Sequence, residues 1–285
     1  MLEIKNISKK YGKFPALTDI SLEITHGMFG LLGPNGAGKT TFMRILSTLI
    51  SPTAGEINMG DINWKVPHLV RNIIGYLPQK FSLYKQIKVQ EALKHIAVLK
   101  GIDQCREKKV FDALEKVNLV EYRDKKIGEL SGGMIRRVGI AQAILGEPRI
   151  IIVDEPTAGL DPEERIRFRK LLYYLGKKSI VIISTHIVED IEATCEQAAI
   201  LYKGKILASG DLNSLSEIAR GKVWDISVPL NEYYNLSNNW NIISSRLIND
   251  MYHLRVISDT PFKGAISMTP VLEDGYICLM ESVEK

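Results

Sequence analysis

The sequence predicts an α/β fold organised round a phosphate-binding loop, and three observations carry that prediction. Gly33 to Thr41 reads GPNGAGKTT, between an apolar run, Met28 to Leu32, and a helical pattern that starts at Lys39. Arg149 to Val153 is a continuous apolar run without alternation, as a central parallel strand covered on both faces requires, and Asp154 and Glu155 close it. Ser179 to Ser184 is a second run of this kind, and it leads into Thr185 and His186.

Composition narrows the class. At 285 residues, 45% hydrophobic and 25% charged, the chain has material for one large or two smaller cores. No stretch approaches the roughly 18 apolar residues of a membrane span, and the start, MLEIKNISKKYG, lacks the apolar segment of a secretion signal, so a soluble chain that stays in the cytoplasm is expected. Cys105, Cys195 and Cys278 are far apart and odd in number, which indicates neither a disulfide framework nor a zinc site. From Leu212 onward six Lys or Arg stand against nine Asp or Glu, a net of −3, which leaves +7 of the total +4 to the preceding part. That pattern gives no basic tail or stripe for a nucleic-acid partner.

In order along the chain, Leu2, Ile4 and Ile7 alternate with Glu3 and Lys5, and Ile20, Leu22 and Ile24 repeat the alternation, which predicts two half-buried strands of an antiparallel sheet. Tyr11 lies between them, where a ring can stack on a nucleotide base; an ordinary strand-end tyrosine is the plainer alternative. In the loop that follows, Gly33, Gly36 and Gly38 let backbone N–H groups close round a phosphate, Lys39 adds a positive charge and Thr40 a hydroxyl for Mg²⁺. Phe42, Ile45, Leu46, Leu49 and Ile50 continue at helical spacing to Ser51-Pro52, so a helix N-terminus faces the phosphates.

Gly55 to Asn63 and Ile73 to Leu77 read as short strands, the second ending in Leu77-Pro78-Gln79. Its continuation, QKFSLYK, exposes Phe81, Leu83 and Tyr84 as a connection would. From about residue 89 to 145 the pattern is helical, an insertion into the α/β series, and it includes Leu130-Ser131-Gly132-Gly133-Met134 with Ser131 as helix N-cap. Asp154 and Glu155 at a strand carboxyl end are expected to meet the nucleotide held by Lys39 and Thr40, Asp154 through the metal and Glu155 by polarising a water. Asp161-Pro162 caps the next helix, and His186 stands at a third polar strand end.

Taken as an ordered set, Tyr11, GPNGAGKT, Gln79, LSGGM, IIIVDEP, AGLD and His186 resemble the ATP-binding cassette ATPases, over Met1 to about Asp211. The resemblance implies a P-loop NTPase core (residues 1–211) with an antiparallel β subdomain and a helical insertion, followed by a small C-terminal α+β extension (residues 212–285). It implies ATP bound by Tyr11 and by Gly33, Pro34, Asn35, Gly36, Ala37, Gly38, Lys39, Thr40 and Thr41. Mg²⁺ would be held by Thr40, Gln79 and Asp154, and Lys39, Gln79, Glu155 and His186 would be catalytic, with Glu155 the general base. Ser131 and Gly133 would act on the ATP of a second protomer, with Asp161 bridging the two sites; Met134 departs from the usual glutamine. One phosphate loop and one LSGGM leave each chain with two halves of different sites, so a second cassette protomer and an integral membrane permease subunit are the implied partners, at the inner face of the cell membrane.

In the remaining part Leu212 to Arg220 reads as helical, and Val223 to Val228, Leu254 to Ile257 and Tyr276 to Met280 read as strands. Thr269 to Asp274, TPVLED, resembles the end of exporter-branch cassettes that pair with membrane subunits of the second ABC type. A cassette ATPase acting on ribosomes or DNA is the competing reading; the single cassette and the lack of a long heptad segment stand against it.

Overall fold

The computed structural model describes residues 1–233 and 240–284, and the chain forms two compact units, Met1–Ser209 and Gly210–Lys285. The first unit opens with β1 (Leu2–Tyr11) and β2 (Phe14–Ile24), an antiparallel hairpin in register at Leu2↔Ile24, Ile4↔Leu22 and Ile7↔Ile20. The alternation drives this register, because all six of those residues turn inward and are buried. Next come β3 (Met28–Leu32), α1 (Lys39–Leu46), the hairpin β4 (Ala54–Met59) and β5 (Ile62–Asn63), α2 (Pro67–Ile73) and β6 (Ile74–Leu77). The helices α3 (Val89–Leu99), α4 (Arg106–Lys116) and α5 (Gly132–Ile144) precede β7 (Ile150–Asp154), α6 (Pro162–Gly176), β8 (Ile180–Thr185), α7 (Val188–Glu192), β9 (Gln197–Tyr202) and β10 (Lys205–Asp211).

Two sheets result, one in the order β2-β1-β4-β5 and one in the order β10-β9-β3-β8-β7-β6. In the second sheet β3 runs parallel to β8 and β9, and β7 runs parallel to β6 and β8. Every residue of β3, β7 and β8 is buried, which is why these strands read as unbroken apolar runs. Side chains from both sheets and from α1 share one core, among them Ile4, Leu22, Phe42, Leu46, Ile152 and Ile182. Trp64 is 9% exposed and donates its indole N–H to the Leu46 carbonyl at 2.9 Å, which ties the last residue of α1 to the hairpin side of the core.

Local chemistry moves two element ends from where the spacing put them. Helix α1 stops at Leu46, because Thr48 adopts a left-handed φ of 60°, and Leu49 ends 57% exposed rather than on the apolar face. The single strand expected over Gly55 to Asn63 turns back on itself at Gly60, φ 57°, to make the β4–β5 hairpin. Helix α2, not foreseen from the sequence, begins with Pro67 in its first turn, where a missing N–H costs nothing.

Lys100 holds the insertion together. At the end of α3 its ammonium donates to the carbonyls of Gln142, Ala143 and Leu145 at 3.1, 3.2 and 3.0 Å, capping the C-terminus of α5. Burial pulls this ammonium down from the ordinary 10.5 to about 8. The folded chain therefore releases the proton before the unfolded chain does, and the stability linked to Lys100 rises with pH between about 8 and 10.5 and is lost again as pH falls through 8. The parent is expected to gain on Lys100→Met across that window in denaturant midpoint; a difference that stays constant with pH would show that Lys100 keeps its ordinary proton affinity.

The second unit holds α8 (Leu212–Ser216), β11 (Val223–Pro229), α9 (Leu230–Tyr233), β12 (Asn241–Ile248), β13 (Met251–Ile257), β14 (Ile266–Ser267) and α10 (Leu272–Glu284). Its sheet runs β12-β13-β11-β14, with Ile226, Val228, Leu254 and Val256 as a small core. Tyr276 to Met280 is helix rather than strand. The Asp274 carboxylate accepts the Val271 N–H at 2.6 Å to start α10 and pairs with Arg255, and Gly275 lies so close to α8 that a Cβ would come within 2.0 Å of the Leu215 carbonyl oxygen. The period-two pattern over 276–280 is thus overruled by a helix cap and by packing between helices.

Candidate active site

The phosphate loop is shaped by close backbone approaches. A Cβ on Gly33 would lie 2.2 Å from the Leu201 carbonyl oxygen, and Gly38, at φ 110°, would meet Leu17 and Ala16 within 3 Å. Ala37 is buried and its carbonyl accepts the Gly204 N–H at 2.9 Å, while the Gly33 N–H donates to Thr185 at 3.3 Å, so the loop is anchored to β8 and to the turn after β9. Asn35, Gly36 and Thr40 are exposed, Pro34 and Thr41 half-buried. The first helical bond of this segment runs from Phe42 N–H to the Gly38 carbonyl, and the N–H groups ahead of it form the positive end of α1.

Lys39, 5% exposed, reaches back over the loop. Its ammonium donates to the Gly33 and Pro34 carbonyls at 2.7 and 3.2 Å and lies 3.3 Å from Glu155 Oε1. Glu155 follows the last residue of β7 at a left-handed φ of 50°, a conformation that costs a non-glycine residue about 1 kcal/mol or more and gathers at functional sites. Its N–H donates to the Ser184 carbonyl at 3.0 Å and its other oxygen, Oε2, lies 2.9 Å from His186 Nδ1. One buried carboxylate therefore bridges the phosphate-loop lysine and the histidine after β8.

Asp154 lies one residue earlier and is fully buried. Its Oδ1 accepts the Ser184 hydroxyl, and its Oδ2 has no hydrogen-bond partner among the described residues. Burial pushes this carboxyl above its usual range, while the Ser184 and Thr40 hydroxyls and the Lys39 ammonium act in the opposite sense. An unpaired buried carboxylate oxygen beside a threonine hydroxyl is the donor set of a hard cation that takes its remaining ligands from phosphate and water. No cluster of three His, Cys, Asp or Glu able to hold an ion occurs among the described residues.

The other expected site residues fall around this centre in separate ways. Gln79 is exposed, two residues past β6, whose Leu77 pairs with Val153 of β7. Of Phe81, Leu83 and Tyr84, only Tyr84 is fully out, at 87%; Phe81 and Leu83 are half-buried, correcting the expectation that all three are exposed. Phe81 lies on α5, where Gly139 leaves it room and a Cβ would come within 3.0 Å of its ring. Tyr11 is 47% exposed opposite Phe14 in the hairpin, with Lys9 Nζ 5.4 Å from its ring centre.

Ser131 and Asp161 cap α5 and α6 by accepting the N–H groups of Met134 at 3.2 Å and Glu164 at 2.8 Å. Glu164 joins the two caps. Its carboxylate pairs with Arg137 of α5 at 2.9 and 3.0 Å and sits so near Gly133 that a Cβ there would be 2.7 Å from Oε2. Ser131, Gly133 and Asp161 thus form one corner, and no hydrogen bond or ion pair among the described residues joins them to Lys39, Glu155 or His186. Sequence reasoning overlooked Ser184 as a site residue and Glu164 altogether; a hydroxyl in an otherwise apolar buried strand was the available sign of the first.

A phosphate loop at the end of a buried parallel strand, with carboxylates and a histidine at neighbouring strand ends, defines a P-loop ATPase of the cassette type. A family described as ABC transporter matches residues 17–158. The chain is 38% identical over 232 residues to the uncharacterized ABC transporter ATP-binding protein YxlF of Bacillus subtilis, covering 80% of this chain and 77% of that one. It is 34% identical over 220 residues to the Nod factor export ATP-binding protein I of a Rhizobium species (76% and 72% covered) and 34% identical over 249 residues to the phosphonates import ATP-binding protein PhnC of Wolinella succinogenes (79% and 88%). A dimeric ATP-binding cassette solved in a post-hydrolysis state with ADP and Pi superposes with a TM-score of 0.67 at 27% identity, over 74% of this chain and 98% of that one. The chain belongs to the ABC transporter ATP-binding proteins, and it is an ATPase.

Proposed function

We propose that the chain is the ATP-hydrolysing subunit of an exporter, built of a cassette (residues 1–211) and an accessory region (residues 212–285), and that it acts with a second cassette and a membrane permease subunit. The observation that carries the hydrolytic part is Glu155, held between Lys39 and His186 beside the unpaired oxygen of Asp154. In this reading the loop from Gly33 to Thr41 cradles the phosphates, Lys39 neutralises the β- and γ-oxygens, and Tyr11 stacks on adenine. Thr40, Asp154 and Gln79 hold Mg²⁺, which supplies charge neutralisation on the transferring phosphoryl group. Glu155 takes the proton of the attacking water and His186 fixes the base and touches the γ-phosphate.

The corner of Ser131, Gly133 and Asp161, tied to itself and not to Glu155, supports a site completed across a pair of cassettes. Export is favoured over import by the TPVLED segment at Thr269 to Asp274, which the accessory region carries. No helix among the described residues is long and apolar enough to cross a membrane, so attachment at the inner membrane face falls to the permease. The loop from Gln79 to Tyr84 is the proposed grip, with the ring of Tyr84 offered outward and Phe81 bracing it on α5. Changing Phe81 and Tyr84 together to Ala should leave ATP binding near the parent's and prevent recovery of the chain with its native membranes. A double variant that binds ATP and sediments with membranes as well as the parent removes this loop from the permease contact.

A further inference from the structure

Asp190, in the short helix α7, is 1% exposed, and its carboxylate is shared among three elements. Oδ2 accepts the Thr157 hydroxyl and lies 3.4 Å from the Thr185 hydroxyl, while Oδ1 accepts Arg169 of α6, with Nε at 2.8 Å. The three partners have a common feature. Thr157 stands two residues after Glu155, and its carbonyl accepts the Leu160 N–H at 3.1 Å to open the turn that carries Asp161. Thr185 is the residue before His186, and its hydroxyl accepts the Ile187 N–H at 3.0 Å, closing a small turn round the histidine. Arg169 lies two turns along the helix that Asp161 caps.

We propose that Asp190 is a positioning residue for hydrolysis: it fixes the backbone on the far side of Glu155 and the backbone beside His186 against each other, and through Arg169 keeps α6 and its Asp161 cap in step with both. The inference rests on the reading of Glu155 and His186 given above. Stability alone is a poor reason for this arrangement, since a buried charge cluster is rarely more stabilising than apolar side chains of the same volume, whereas it does fix geometry. Glu155 is where fixed geometry is needed, because its left-handed backbone persists only where the surroundings enforce it. The Thr157 hydroxyl bond restrains the chain two residues past Glu155, and His186 Nδ1 meets Glu155 Oε2 at 2.9 Å only while the two strand ends keep their spacing.

The test compares Asp190→Asn, Asp190→Glu and Thr157→Val with the parent and with Glu155→Gln, by steady-state phosphate release, ATP titration and thermal melting. Asp190→Asn and Thr157→Val should each lower kcat about tenfold or more while KM and ATP affinity stay within about twofold, and Asp190→Glu should recover part of the loss. Thr157→Val leaves the Asp190–Arg169 pair intact and so keeps the test open if Asp190→Asn does not fold. A folded Thr157→Val or Asp190→Asn chain with the parent's kcat, beside a silent Glu155→Gln, overturns the positioning role alone. A loss of kcat that only follows the folded fraction or the ATP affinity also overturns it. If Glu155→Gln itself hydrolyses at the parent's rate, the reading of the site falls and this inference with it.

Discussion

Glu155→Gln is expected to slow ATP hydrolysis by about a hundredfold or more, a loss of about 2.7 kcal/mol in transition-state stabilisation, while ATP still binds. Glutamine has the shape of glutamate and offers one oxygen to Lys39 or His186, so the loop that holds the phosphates is undisturbed. It has no basicity to take a proton from water. Lys39 keeps its bonds to the Gly33 and Pro34 carbonyls, which act as its partners independently of the ion pair. Phosphate release measured at saturating ATP reads the chemical step, and under the function proposed above, sizing the same variant with ATP should reveal a stable dimer, because a pair closed by ATP would no longer be opened by hydrolysis. Turnover at the parent's rate would show that another group takes the proton.

Lys39→Ala is expected to remove tight nucleotide binding, by about a hundredfold or more in affinity. The ammonium lies 3.3 Å from Glu155 Oε1 as its lysine partner, and backbone N–H groups cannot replace a charge aimed at phosphate oxygens. The change also strips the buried Glu155 carboxylate of its cation, which costs stability in its own right. Circular dichroism of the variant should come first, and titration with a fluorescent ATP analogue should follow on the folded protein. Unchanged affinity would exclude the loop from Gly33 to Thr41 as the phosphate site.

The parts of this fold that were legible in the sequence are those written within a few residues of one another. The apolar runs of β7 and β8, the glycines of the phosphate loop, and the Ser131 and Asp161 caps all depend on neighbours along the chain. What escaped depends on residues brought together from afar. Ser184 bonds Asp154 across 30 positions, Asp190 bonds Thr157 across 33, and Glu164 bonds Arg137 across 27. Phe81 packs against Gly139, far along the chain, where a Cβ would come within 3.0 Å of its ring. Tyr276 to Met280 misled for the opposite reason: five residues fit either period, and the cap and the close approach to Leu215 that decide the matter lie outside them.

Trp64 turns the phosphate-loop helix into something that can be watched optically. It is the only tryptophan of the first unit, Trp224 and Trp240 both belonging to the second, and its indole is hydrogen-bonded to the carbonyl that ends α1. An eight-residue helix is about 12 Å long, so this fluorophore stands one helix length from Lys39, near enough to register strain in α1 and far enough not to touch the nucleotide. A chain carrying Trp224→Phe and Trp240→Phe would emit from that position alone, and its colour and lifetime would follow what happens to the helix during each ATP cycle, without an attached dye.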